Sequence, residues 1–197
     1  MTDAVEQQAA FSRKCALIAA KAADEKKATD IMVQEVRDLI GVTDYFVIAT
    51  AANSRQVDAI IDEIEDKLRE EASIKPTHRE MSADGSWSLL DYGNIVVHVF
   101  MPETREYYRL EALWNDAPVI DLAAEAGLTD IEYSDRIAKM LGNLYNKLTA
   151  VISLNIDGRI DFWQITVCEL NINYSTDNLS NLTNIILCHY SLHCFIN

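Results

Sequence analysis

Three groups of residues carry side chains that chemistry could use. Cys188, His189, His193 and Cys194 offer two thiols and two imidazoles close together, the donor types of a zinc site. Four ligands must converge on one point, however, and adjacent Cys-His pairs point apart in an extended chain. A metal would need a special loop there, so none is expected. His98 lies among valines, with no Ser or Cys placed beside it as a nucleophile. It therefore reads as a strand histidine rather than a general base. Asp58 and Asp62 sit four apart on a helical segment that also carries Glu65 and Asp66. A segment so rich in carboxylates reads as a solvated side. No catalytic residue and no cofactor is expected.

A different chemistry, that of binding, is offered by residues 87–100. Gly93-Asn94 suits the tip of a two-residue hairpin with a type II′ turn. Tyr92 then faces Ile95, and pairing steps outward from there. Ser88, Leu90, Tyr92, Ile95, Val97 and Val99 fall on one side and read as core. Trp87, Leu89, Asp91, Val96, His98 and Phe100 fall on the other. That second side mixes large apolar groups with a carboxylate and an imidazole, as binding surfaces do. Asp91 could pair with a cation on a partner or satisfy backbone groups at the hairpin end.

The elements around the hairpin follow from period and capping. Phe11, Cys15, Ile18 and Ala22 recur at helical spacing in a helix that ends near Asp24, and Ile31, Val33 and Val36 mark a strand before a turn at Gly41. Residues 45–50 form an apolar run fit for burial on both faces. Val57, Ile60, Ile61, Ile64 and Leu68 line one stripe of a helix, opened by an Asn53 and Gln56 capping pair. Pro76 opens an extended segment that runs to Met81. Pro102 suits the first turn of a last helix, with Glu103 and Glu106 near its positive end and Tyr107, Leu110, Leu113 and Trp114 as its apolar face. The order predicts a small α/β sandwich, a mixed sheet with helices mainly on one face.

Bulk composition narrows the partners. Hydrophobic content of 49% suffices for a buried core. The formal net charge is −14, and residues 1–127 hold 24 acidic against 13 basic side chains. Such a surface repels phosphate, so no direct nucleic-acid specificity is expected. It attracts a basic partner, although acidic surfaces also serve solubility alone. The first ten residues lack a basic and apolar leader, no run is long enough for a membrane helix, and four scattered cysteines suit a reducing compartment, so a cytoplasmic location is expected.

Four segments occur in an order and spacing that point to one family. They are TDYFVI at 43–48, SRQ at 54–56 with Ala59-Ile60, LLDYGNIVVHVF at 89–100, and REYYRLEALW at 105–114. Over residues 13–122 the chain resembles the ribosomal silencing factors, RsfS or Iojap-like proteins. The resemblance implies a nucleotidyltransferase-like fold and a translation regulator. It would bind the large ribosomal subunit through a basic protein, large-subunit ribosomal protein fourteen, and block subunit joining. Trp87 matches the family's tryptophan on that docking surface, Asp91-Tyr92 match its residues before the hairpin glycine, and Glu80 and Glu103 would add negative potential near it, although either could be simple surface charge. Members can self-associate, so a homodimer is compatible, although no coiled-coil seam is present. Departures are Ala51-Ala52 and Glu80-Met81, where members usually show glycine. The fold also raises two alternatives: a degenerate nucleotide-binding enzyme, or a large-subunit assembly factor. Against the enzyme, the Gly85-Ser86 pair runs into Trp87 rather than an Asp-x-Asp strand, and no phosphate loop is present.

Residues 1–122 are thus read as the family domain and 123–142 as a helical extension, with Ile137, Met140 and Leu141 on one side of a helix. From residue 143 nine asparagines appear in 55 residues. Two strands flanking Asp157-Gly158 suggest a β appendage. Conflicting local signals favour a tail not selected for folding.

Overall fold

The computed structural model describes residues 2–148, 152–156 and 159–163. The chain divides into two units between Ile137 and Ala138. The first unit holds a five-stranded mixed sheet and the helices that cover it. Its elements are α1 (Thr2–Glu25), β1 (Thr29–Glu35), α2 (Arg37–Ile40), β2 (Tyr45–Thr50), α3 (Ser54–Ala72), β3 (His78–Met81), β4 (Trp87–Asp91), β5 (Ile95–Phe100), α4 (Pro102–Tyr108), α5 (Leu110–Leu113) and α6 (Leu122–Ala126). The sheet order is β1-β2-β5-β4-β3. Only β2 and β5 run parallel. A parallel pair needs a long crossover, and α3 with the β3–β4 hairpin supplies it.

Both long helices pack on one face. The α3 stripe of Val57, Ile60, Ile61, Ile64 and Leu68 is fully buried, as its spacing predicts. Each of those side chains contributes about 1.5–3 kcal/mol relative to exposure. The α1 face is built from Cys15, Ala16, Ala19, Ala20 and Ala23, small groups that let the helix lie close to the sheet. Val97, Val99, Leu90 and Ile95 complete this core from below. α1 begins far earlier than Phe11, because alanine and glutamine continue the helix without an apolar stripe.

The start of α3 refines the capping expectation. Asn53 Oδ1 accepts from the Gln56 N–H at 3.0 Å, but Gln56 Oε1 accepts from Ala52 N–H at 2.7 Å rather than from Asn53. Gln56 Nε2 also donates to the carbonyls of Lys26 and Lys27, both at 2.9 Å. One side chain therefore clamps the α1–β1 turn to the head of α3. The alanines at 51 and 52 sit in backbone that does not require glycine, since neither has a positive φ. Glu80 and Met81 lie within β3, opposite Leu89 and Ser88.

The two edges of the sheet differ. Outside β1 runs an irregular strand-like segment: Glu35 N–H donates to Pro118, Ile120 N–H to Val33, and Asp30 N–H to Glu132. Gln34 forms a bridge with Val119, and Tyr133 Oη donates to the Ile31 carbonyl at 3.0 Å. The β3 edge is four residues long, and each of the four is exposed. Residues 123–137 are accordingly less helical than expected: α6 is short, 127–134 is irregular, and α7 (Asp135–Leu148) starts at Asp135.

In the second unit β6 (Ile152–Ile156) pairs antiparallel with β7 (Arg159–Trp163), Ile156 opposite Arg159. The remaining tail, with Cys188, His189, His193 and Cys194, lies outside the described residues.

Candidate partner-binding surface

The hairpin register matches the sequence reading pair for pair: Trp87 opposite Phe100, Leu89 opposite His98, Asp91 opposite Val96. The left-handed Gly93, φ 81, with no positive φ at Asn94, fits the II′ tip. Through β2 and β3 the same face continues with Phe46, Ile48 and Thr50 on one side and His78 and Glu80 on the other. This face is opposite α1 and α3.

Segment 102–114 covers only part of that face, and it does so against expectation. It is not one helix with an apolar inner side. Arg109 is left-handed, φ 45 and ψ 47, and splits it into α4 and α5. The buried side is the charged one: Arg105 is 2% exposed and Glu111 0%. Arg105 Nη1 donates to Thr50 Oγ1 at 2.8 Å and the Asp30 carbonyl at 2.7 Å. Its Nε lies 3.6 Å from Glu111 Oε2, and Arg136 Nη2 lies 2.5 Å from Glu111 Oε1. Gln34 Nε2 donates to the carbonyls of Glu111 and Trp114. These partners, distant in sequence, hold the charged side down and turn Tyr107 and Leu113 outward.

Trp87 stands where the cover ends. Its half-buried indole stacks on Phe100, centroids 5.0 Å apart at 23°, and leans on Tyr108 at 5.0 Å and His98 at 5.9 Å. Its Nε1 is buried with no hydrogen-bond partner. The preceding turn fixes its backbone. Ser82 N–H donates to the Trp87 carbonyl at 2.8 Å, and Trp87 N–H donates to Ser82 Oγ at 3.0 Å. Ser82 Oγ in turn donates to Asp84 Oδ1 at 2.7 Å, which also accepts from Ser86 N–H. Those bonds, Ser82's foremost, hold the Asp84 carboxyl down at about 2. Gly85, φ 69, permits the turn, and a Cβ there would come within 3.2 Å of the Ser54 Cβ.

The other expected contact residues separate by depth. Leu89, Asp91, Val96 and Phe46 are half-buried and Glu80 is exposed, so these form the accessible patch with Trp87. Phe100 is fully buried and His98 is 6% exposed, so neither offers a partner appreciable area. They support the indole from beneath. Burial pushes the His98 imidazole down to about 4, leaving it neutral near pH 7. Its ring meets Phe46 edge-on at 5.4 Å and lies parallel to Phe100 at 5.9 Å. Tyr92 lies on the opposite, core-facing side, and burial raises its phenol pKa. It cannot share a contact with Trp87. Asp91 Oδ1 accepts from Gly93 N–H at 2.7 Å, while Oδ2 lies 3.7 Å from His78 Nδ1. Sequence reasoning missed Tyr107 and Tyr108 as surface groups. The spacing within 102–114 gave no signal for this, because it is the burial of Arg105 and Glu111 that rotates the tyrosines outward.

Among the described residues no three His, Cys, Asp or Glu side chains converge on a metal position, and no helix is long and apolar enough to cross a membrane. What the face offers is area, a half-buried indole and carboxylates at its margin. Fold and face together define a small mixed-sheet α/β domain whose second sheet face is only partly covered. Residues 9–140 match the family described as "Ribosomal silencing factor during starvation". The chain belongs to that family. It is 43% identical over 105 residues to the ribosomal silencing factor RsfS of Bacillus subtilis, covering 53% of this chain and 88% of that protein. It is also 43% identical over 103 residues to the chloroplastic protein Iojap of Zea mays, covering 52% of this chain and 44% of that one. A crystal structure from Chromobacterium violaceum matches with a TM-score of 0.50 at 33% identity, covering 52% of this chain and 84% of that chain. The names of the two relatives are those of a ribosomal factor and a plastid protein, not of enzymes.

Proposed function

We propose that this chain is a cytoplasmic ribosomal silencing factor that docks on the large ribosomal subunit through large-subunit ribosomal protein fourteen. Its bulk then occupies space the small subunit needs, lowering translation in starvation. The observation that carries this reading is the half-buried Trp87 indole at the edge of an open, acid-rimmed sheet face. Aromatic anchors in partly desolvated settings dominate many interfaces. The carboxylates of Glu80 and Asp91 complement a basic partner and speed encounter. Excluded volume needs no cofactor.

The test is co-sedimentation with purified large subunits. Trp87→Ala should bind at least about tenfold more weakly, the loss of about 1.4 kcal/mol or more expected of an anchor. Circular dichroism confirms that the variant folds. Undiminished binding rejects the surface. A second reading, escort of a maturing large subunit, is favoured by a mouse relative named "Mitochondrial assembly of ribosomal large subunit protein 1", 34% identical over 110 residues and covering 51% of this chain and 47% of that protein. Ribosome profiles separate the two. Silencing raises free subunits in starved cells, whereas an assembly role leaves immature large subunits in growing cells that lack the protein.

A further inference from the structure

Helices that bury an ion pair and present tyrosines to water are built the wrong way round for stability alone. A buried ion pair gives little net stability, and an exposed aromatic cluster usually marks a contact site. Tyr107 is 81% exposed and Tyr108 48%. Tyr107 stands edge-on to Tyr108 at 5.1 Å, and Tyr108 leans on Trp87 at 5.0 Å. The rings form one continuous chain from β4 out to α4. Glu103 lies four residues before Tyr107 on the same helix, exposed, and pairs with no cation among the described residues. Glu80 is likewise exposed and without an ion pair among them.

We infer that Tyr107 and Tyr108 extend the docking surface beyond Trp87 and receive a cationic segment of a basic protein, one arginine or lysine lying over the Tyr107 ring beside Glu103. This rests on the reading of Trp87 as anchor. A tyrosine face with a neighbouring carboxylate suits a guanidinium or ammonium group. Charge selects the occupant: a second copy of this chain carries the same net −14, and RNA phosphate meets the same repulsion.

Full-length Tyr107→Ala should bind purified large subunits about five- to thirtyfold more weakly, the range of a partly desolvated cation–π contact. Its exposure means the fold does not depend on it, and Tyr107→Phe should bind like the parent because the ring is what matters. Glu103→Gln should weaken binding less and reduce its salt dependence. Val5→Ala removes a side chain 66% exposed on α1, across the sheet, and should bind normally. Parental binding by Tyr107→Ala, with loss in Trp87→Ala, overturns the extension and leaves the anchor standing. Loss in Tyr107→Ala with parental binding in Trp87→Ala rejects the anchor instead. Equal loss in Val5→Ala, or Tyr107-dependent binding to protein-free large-subunit RNA, overturns the protein partner.

Discussion

Buried among Phe46, Trp87 and Phe100, the His98 imidazole has to stay neutral for the face to keep its packing. Its folded pKa of about 4 lies below the ordinary 6.5, so on acidification the unfolded chain takes up a proton that the folded chain refuses. The associated stability is complete above about pH 6.5, falls as pH drops towards about 4, and changes no further below that. The full span is about 3 kcal/mol. Replacing the imidazole with an amide removes this dependence. Between pH 7 and pH 4.5 the parent should lose about 2–3 kcal/mol more than His98→Gln in urea unfolding. Identical losses would mean the ring is protonated without penalty. At this scale much was legible: the alternation around Gly93-Asn94 placed Trp87, Leu89, Asp91, His98 and Phe100 on one side. Depth was not legible, because alternation assigns a face and says nothing of what lies over it. Phe46 and Trp87 close on His98, and Tyr108, arriving from another segment, joins Trp87 over Phe100, while Leu89 stays half-open.

Among the elements, α3 and the β4–β5 hairpin followed directly from pattern, since their signals are local: a stripe of five aliphatics, a cap, and a two-residue turn. The α4–α5 segment did not. Its apolar residues at Tyr107, Leu110, Leu113 and Trp114 promised one amphipathic helix, yet the segment turns its charged side inward. The reason is long-range: Arg105 bonds to Thr50 and Asp30, and Glu111 faces Arg136. Spacing within 102–114 contains no trace of those partners. The charge cluster should behave as buried pairs do. Glu111→Ala leaves Arg105 uncompensated in a site 2% exposed and should destabilise by about 3–5 kcal/mol in chemical denaturation. The double change Arg105→Met with Glu111→Leu should be milder than that single one, because it removes the charge that would otherwise be stranded. A double variant less stable than Glu111→Ala would show that the pair contributes more than it costs to bury.

For the whole molecule, the excess of 11 negative charges over residues 1–127 (24 − 13) acts at a distance. Association with large subunits should slow as salt rises above about 0.1 M, where the screening length is about 10 Å and shrinking. An association rate unchanged by salt would remove electrostatic steering from the account. The sheet edges set a further limit. Among the described residues, β1 is flanked by residues 118–120 and 132, and β3 is the border of the five-stranded sheet left unpaired. A sheet with one sheathed border and one bare border cannot polymerise by adding strands, because joining two bare borders consumes both. Strand addition through this sheet therefore stops after one partner, whatever the concentration.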